Sequence, residues 1–443
     1  MVVKSLEVFA MRSYRDKCGL GVLGLSVFAA VGVSMLGGKA VSALDIQPGV
    51  DSYTLSGDSS EQIVVKTGAN VTINLNGHNL TTADKDSIIV DNGATAVVNG
   101  DGTVEATGTG VSPIYNNGTL TINGGTYLKD ESKGTYYAIL NHGELTFNDG
   151  IVKMNNYKQS SLVDNGYYNY TKQSNGPKIA YIDGVNSPAP KMTVNGGTFS
   201  GGGNEIKNDD NGYLYVKGGT FIIEHPASDL SECTKNAQDE AKCGRVAIAN
   251  NHYAEISGGT VSANGGLDTA LANNQYDGGH NVGVLKISGG TYMAKTLVIA
   301  SDKAQTDITG GTFNVSQISS ARALIGDNDN VTINVTGGTF NGETSFMPAK
   351  GYVAIENADG TKSVVTKAEA EKKAAEEAKK NEDKEVTKPR ESHDAGKGTE
   401  AEAKIAAPNT GAEVAGGLSL GSIASGIAAL TSAGLAIIAK IKL

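Results

Sequence analysis

The sequence predicts an all-β solenoid in which short parallel strands stack rung upon rung. Three observations predict it: an octapeptide that recurs along most of the chain, a Gly-Gly pair inside nearly every copy, and a short interval between pairs. That interval is 22 residues from Gly197 to Gly219, 21 from Gly290 to Gly311 and 27 from Gly311 to Gly338. A unit so small cannot bury its own apolar face. Copies stacked on one another can, because each strand then pairs with the one above and the one below.

The octapeptide reads L-T-I-N-G-G-T-Y at Leu120–Tyr127, M-T-V-N-G-G-T-F at Met192–Phe199 and L-Y-V-K-G-G-T-F at Leu214–Phe221. It returns at Ala254–Val261, Leu285–Tyr292, Thr306–Phe313 and Ile333–Phe340, with degenerate copies at Leu145–Val152 and Val97–Val104 and an opening copy at Val71–Leu80. Alternation such as Leu120-x-Ile122 turns one face of each strand inward. A second short apolar strand precedes the Gly pair, containing in turn Ile89, Ile114, Ile248, Ile299 and Ile325, and the turn formers Asn92-Gly93, Asn117-Gly118 and Asn211-Gly212 follow it. The unit is therefore strand, Asn-Gly turn, strand, Gly-Gly turn, strand. Glycine serves corners that need positive φ. The aromatic residue after Thr is expected to stack on its counterpart in the next unit. Longer gaps, as between Gly150 and Gly197, imply either an additional coil or an inserted loop.

This pattern resembles the right-handed parallel β-helix of pectin-lyase-like proteins, and the resemblance covers roughly Ile46–Val365. About twelve coils at about 4.8 Å each would stack to roughly 55–60 Å. The fold implies little about function by itself.

The two ends carry export and attachment signals. Lys4, Arg12, Arg15 and Lys17 open the chain, an uncharged stretch from Leu20 to Gly38 follows, and Val41-Ser42-Ala43 supplies small residues for a signal peptidase. Cleavage after Ala43 is expected, with residues 1–43 as the signal and 44–365 as the β-helix. Beyond Val365 the chain becomes Ala, Glu and Lys, with Glu369–Lys373 and Glu376–Lys380 at helical spacing, and then polar and charged. Residues 366–406 are thus read as a short exposed helix and solvated stalk. Ala407-Pro408-Asn409-Thr410-Gly411 precedes an apolar run from Val414 to Ala439, and Lys440 and Lys442 close the chain. That order, over residues 407–443, resembles a sortase sorting signal, with Ala407 where the usual L-P-x-T-G has Leu. The resemblance implies a sortase that cleaves Thr410–Gly411 and passes the Thr410 carboxyl to cell wall peptidoglycan, the apolar run serving as the membrane-spanning helix of the precursor.

The net charge of −10 leaves no electrostatic footprint for nucleic acid, and both basic ends are the segments expected to be removed. Cys18 falls in the signal, so Cys233 and Cys243 remain as an expected disulfide in an oxidising compartment. No metal or cofactor is expected. Polygalacturonases carry an N-T-D and an R-I-K motif that this chain lacks, and its Asp209-Asp210 and Gly279-His280 read as turns. Pectate lyases use an Arg base beside Ca²⁺, whereas only Arg245 and Arg322 occur between Leu44 and Val365, at an insertion and a strand start. Tyr157, Tyr167, Tyr168, Tyr170 and Tyr181, set among Asn, Gln and Ser, are the candidate binding residues, because tyrosine beside amide side chains suits sugars or a partner protein. The expected function is a non-catalytic, adhesin-like surface protein that binds a glycan or a host or neighbouring cell through loops. The alternatives are a polysaccharide-active β-helix enzyme and a passive structural coat protein.

Overall fold

The structure, a computed structural model, describes residues 43–130, 136–155, 161–166, 189–209, 211–223, 246–263, 269–274, 282–301, 303–319, 324–325 and 331–386. By contact the chain divides into Met1–Lys379 and Lys380–Leu443. The first unit holds a parallel β-helix. Within the second, the described residues are the last turns of a helix, Lys367–Val386.

Each rung contributes one strand to each of three ladders. In one rung these are Ile114–Asn116, Thr119–Ile122 and Thr126–Asp130, matching the strand–turn–strand–turn–strand unit of the sequence. The first ladder runs in parallel from Leu44–Ile46 to Leu324–Ile325. The second has eleven parallel strands, so eleven rungs are described, and Val71 belongs to the second of them. The third ladder holds the strands after the Gly pairs, from Leu80–Thr82 to Thr339–Phe340. One long strand, Thr291–Ser301, turns from the third ladder into the first and joins the two as one sheet.

Register follows the repeat. Leu120 lies against Leu145, Leu145 against Met192, and Met192 against Leu214, while Ile122, Phe147, Val194 and Val216 form the parallel column. All eight are buried. The excess length between Gly150 and Gly197 falls between the strands Val163–Asn165 and Lys191–Val194 of a single rung, so it is an inserted loop and not an extra coil. A second insertion separates Thr220–Ile223 from Val246–Asn250.

The two glycines of a pair do different work. Gly219 has φ 94°, a conformation that strains any residue with a Cβ. Gly218 has an ordinary φ, but a Cβ there would lie 2.2 Å from the carbonyl oxygen of Asn195 in the rung below. The second glycine turns the chain, and the first lets one rung sit down on another.

Two columns of like side chains tie the rungs together. At the first corner Asn116, Asn141, Asn165, Asn208, Asn250 and Asn273 are fully buried. Each Nδ2 donates to the Oδ1 of the next, at 2.7, 2.6, 2.6, 2.8 and 2.9 Å in turn. Their second N–H goes to backbone carbonyls such as Tyr213 O and Val284 O, so the buried amides are satisfied. Inside the third ladder the predicted aromatic stack is present: Phe199 on Phe221 at 5.0 Å, Tyr292 on Phe313 at 5.1 Å and Phe313 on Phe340 at 4.6 Å. Val152 interrupts it, and there Phe147 of the second ladder fills the gap, 4.9 Å from Phe199. Each buried ring contributes roughly 1.5–3 kcal/mol.

The parallel stack ends at Phe340. Tyr352–Glu356 and Lys362–Thr366 form an antiparallel hairpin whose second strand pairs back onto Thr339–Phe340. This covers the open edge of the third ladder at that end, which a stack of parallel rungs cannot do with another copy of itself. Thr366 then caps the helix reciprocally with Glu369: the Glu369 N–H donates to the Thr366 hydroxyl at 3.2 Å, and the Thr366 N–H donates to the Glu369 carboxylate at 2.9 Å. The helix expected over Lys367–Lys380 is present and continues to Val386. Among the described residues no helix is long and apolar enough to cross a membrane.

Candidate functional site

Strand alternation puts every second residue of the second ladder on the outer face. Late in the stack that face becomes aromatic and charged. Tyr215, Glu255, Lys286, Asp307 and Asn334 lie in one row across five consecutive strands, with Tyr213 and Tyr253 in the row beside it. The Tyr253 ring lies 5.7 Å from Tyr213 and 6.2 Å from Tyr215. Lys286 Nζ donates to the Tyr253 hydroxyl at 2.8 Å, sits 5.0 Å over its ring and lies 3.5 Å from Glu255 Oε1. The Tyr253 hydroxyl in turn donates to Glu255. The hydrogen bond to Tyr253 raises the Lys286 pKa, so its charge persists through neutral pH. Desolvation, with the hydrogen bond to Glu255, raises that of Tyr253, which stays protonated. Further along, Asn334 Nδ2 donates to Asp307 Oδ1 at 2.8 Å, and Gln305 Nε2 to its other oxygen at 2.9 Å.

Glu255, Lys286, Asp307 and Asn334 of this row floor a groove of about 670 Å³, with Tyr215 and Tyr253 beyond its end. One side is the corner row Ser257, Ser288, Thr309 and Thr336, and the segment Ala349–Tyr352 completes the lining. In earlier rungs the same corner carries asparagines joined rung to rung, Asn99 through Asn123 and Asn148 to Asn195. Ser and Thr are too short to span rungs. Their hydroxyls turn to backbone carbonyls instead, Thr309 to Ile287 O and Thr336 to Ile308 O, both at 3.3 Å.

A second cluster lies on the outside of the first ladder. Asp164 and Lys207 are partners in neighbouring rungs, and Asp209 follows Lys207. Lys207 Nζ is 2.7 Å from Asp209 Oδ2, and Asn251 Nδ2 donates to Asp209 Oδ1 at 3.0 Å. Asp164 is 2% exposed and Asp209 1%. Burial, then the neighbouring Asp209 charge, push the Asp164 carboxyl well above its ordinary range against the opposing pull of Lys207. Asp164 is thus the carboxyl of this cluster that burial holds toward its neutral form. Nearby His142 is pushed down to about 4 by burial, with the Tyr115 hydroxyl 3.4 Å from its Nδ1.

Tyr157, Tyr167, Tyr168, Tyr170 and Tyr181, Cys233 and Cys243, and Ala407–Gly411 all lie outside the described residues. Ala43 is the first described residue, directly before the first strand. Asp209, read in the sequence as part of a turn, does follow a strand at a corner, but its side chain is buried in a carboxylate pair. Sequence reasoning missed Asp164, Tyr213, Tyr215 and Tyr253. For the tyrosines the signal was present, since they occupy the outward positions of the copies beginning Y-L-Y-V and Y-A-E-I. Among the described residues no three His, Cys, Asp or Glu side chains gather as a metal centre would need. Compared with known proteins, the chain matches no family model, no curated protein sequence and no solved structure.

Proposed function

We propose that this protein is an adhesin-like surface protein that binds a glycan on a host or neighbouring cell and is fixed to its own cell wall. The observation that carries this reading is the charge-balanced groove on the outer face of a stacked, hydrogen-bonded sheet, with Tyr352 in its lining and Tyr253 bonded to its Lys286. Aromatic rings beside hydroxyl, amide and carboxylate groups suit sugars, whose C–H faces stack on rings while their hydroxyls need both donors and acceptors. The ends of the sequence support the location: a signal cleaved after Ala43, a stalk, and a sortase signal whose Thr410 is joined to peptidoglycan. Under this reading the coil is right-handed and pectin-lyase-like, in keeping with the strong preference of parallel crossovers for that hand. Binding of the processed chain to a glycan array tests it. Selective retention of a glycan supports the reading, and an array with no signal rejects it.

A second reading, a polysaccharide-active enzyme, is favoured by Asp164 and Asp209. Two carboxyl groups on neighbouring rungs, one held toward its neutral form by burial, are the residue type that general acid–base cleavage of a glycosidic bond uses. Release of reducing ends from pectins or other polysaccharides, lost in both Asp164→Asn and Asp209→Asn, would establish it over the first.

A further inference from the structure

We infer that the groove on the second ladder takes an uncharged polysaccharide chain lying along the stacking direction, about one sugar per rung. This rests on the glycan-binding reading above and specifies its ligand and its pose.

Periodicity sets the pose. Neighbouring strands are about 4.8 Å apart, close to the length of one pyranose unit in an extended chain. The groove repeats its polar equipment at that interval. Glu255, Lys286, Asp307 and Asn334 each come from a successive strand, and Ser257, Ser288, Thr309 and Thr336 repeat along the corner beside them. A ligand lying across the strands meets a corner hydroxyl and a polar floor side chain again at every rung. One lying along a single strand meets them once.

Charge sets the class. The acids lining the groove are Glu255 and Asp307, and the cations are Lys286 and Lys350. Lys286 is held by Glu255 and Tyr253, and Asp307 accepts from two amides, so three of the four already have partners. A polyuronate would bring one anion per rung to a floor already carrying Glu255 and Asp307. A polycation would meet Lys286 and Lys350. A neutral chain meets no opposition. The Thr309 and Thr336 hydroxyls spend their protons on backbone carbonyls, which leaves their oxygens as acceptors for sugar hydroxyls. Tyr352 in the lining and Tyr253, one row from the floor, supply rings for C–H faces. The Ala349–Tyr352 segment is fixed, its Ala349 N–H donating to Val335 O at 2.9 Å and its Tyr352 N–H to Ala349 O at 3.0 Å.

The test is calorimetric titration of the processed chain with a graded array of neutral oligosaccharides, N-acetylglucosamine and glucose series from one to eight units among them. Oligogalacturonates serve as the charged control, and Tyr253→Ala and Ser288→Trp as groove variants. Ser288 is exposed at the corner, so the indole fills the groove without entering the core. A neutral series is expected to tighten at least tenfold from two units to four and then level off, since the groove floor spans four strands. Its affinity should change less than twofold between 0.05 and 0.5 M NaCl, as binding without net charge requires (a screening length of about 14 Å falling to about 4 Å makes no difference to it). Both variants should lose at least tenfold, while Lys153→Ala on the third ladder keeps wild-type affinity. Glycan binding that both variants retain, or that ignores chain length, overturns this site while leaving the adhesin reading standing. Tighter binding of oligogalacturonates overturns the ligand class. Failure of the wild-type protein to bind any glycan overturns both.

Discussion

At the residue scale the buried asparagine column sets the tolerance of the stack. Asn208 accepts from Asn165 and donates to Asn250, and it also bonds the Gly212 and Tyr253 carbonyls. Removing it strands a donor in the rung below and an acceptor in the rung above at a fully buried site, so Asn208→Ala is expected to cost roughly 2–4 kcal/mol. The denaturant midpoint should fall accordingly, while a change at the exposed Asn195 of the outer column should cost well under 1 kcal/mol. Asp164 gives a pH signature of definite sign. Its folded carboxyl keeps a proton that the unfolded chain releases above about pH 4, so the native state binds more protons and stability falls as pH rises through the interval up to the raised native pKa. His142, depressed to about 4, works in the opposite direction between about 4 and its ordinary value of 6.5. Melting temperature followed against pH should therefore rise more from pH 4 to 7 in Asp164→Asn than in wild type. Parallel curves would show that Asp164 is not held neutral.

At the element scale the corners are where a single methyl group decides the outcome. Gly218→Ala would press a Cβ into the Asn195 carbonyl and force two rungs apart, at about 1–3 kcal/mol or more, whereas Gly57 has open space and an ordinary φ, so Gly57→Ala should be neutral or slightly stabilising. Paired thermal melts check the contrast. The strands around these corners were legible in the sequence because apolar alternation and the Gly pair recur together. The strand Val163–Asn165 was not, being three residues long with a charged centre, so no period could announce it. The Asn column was hidden for a related reason. Its members are 25, 24, 43, 42 and 23 residues apart, because insertions fall between them, and each looks locally like half of a turn. Only the closed rung brings them into line. The outward tyrosines beside the groove are the opposite case, since they stood on the repeat's own strands, but the charge balance of the groove needed the register of four strands.

At the scale of the whole molecule, the ends and the coil make separable demands. If Thr410 is the residue transferred to peptidoglycan, Thr410→Ala should move the protein from the wall fraction to the membrane or medium in cell fractionation, with the β-helix still folded by circular dichroism. Retention in the wall would refute sortase attachment and leave the groove untouched. The register described above also bears on how such a chain can vary. Seam after seam joins equivalent positions of the repeat, threonine to threonine from Thr198 through Thr220, Thr260, Thr291 and Thr312 to Thr339. A gene that gained or lost one whole repeat would still encode mating edges on both sides of the change. The length of the stack is thus adjustable in steps of a single coil, with no redesign of the interior.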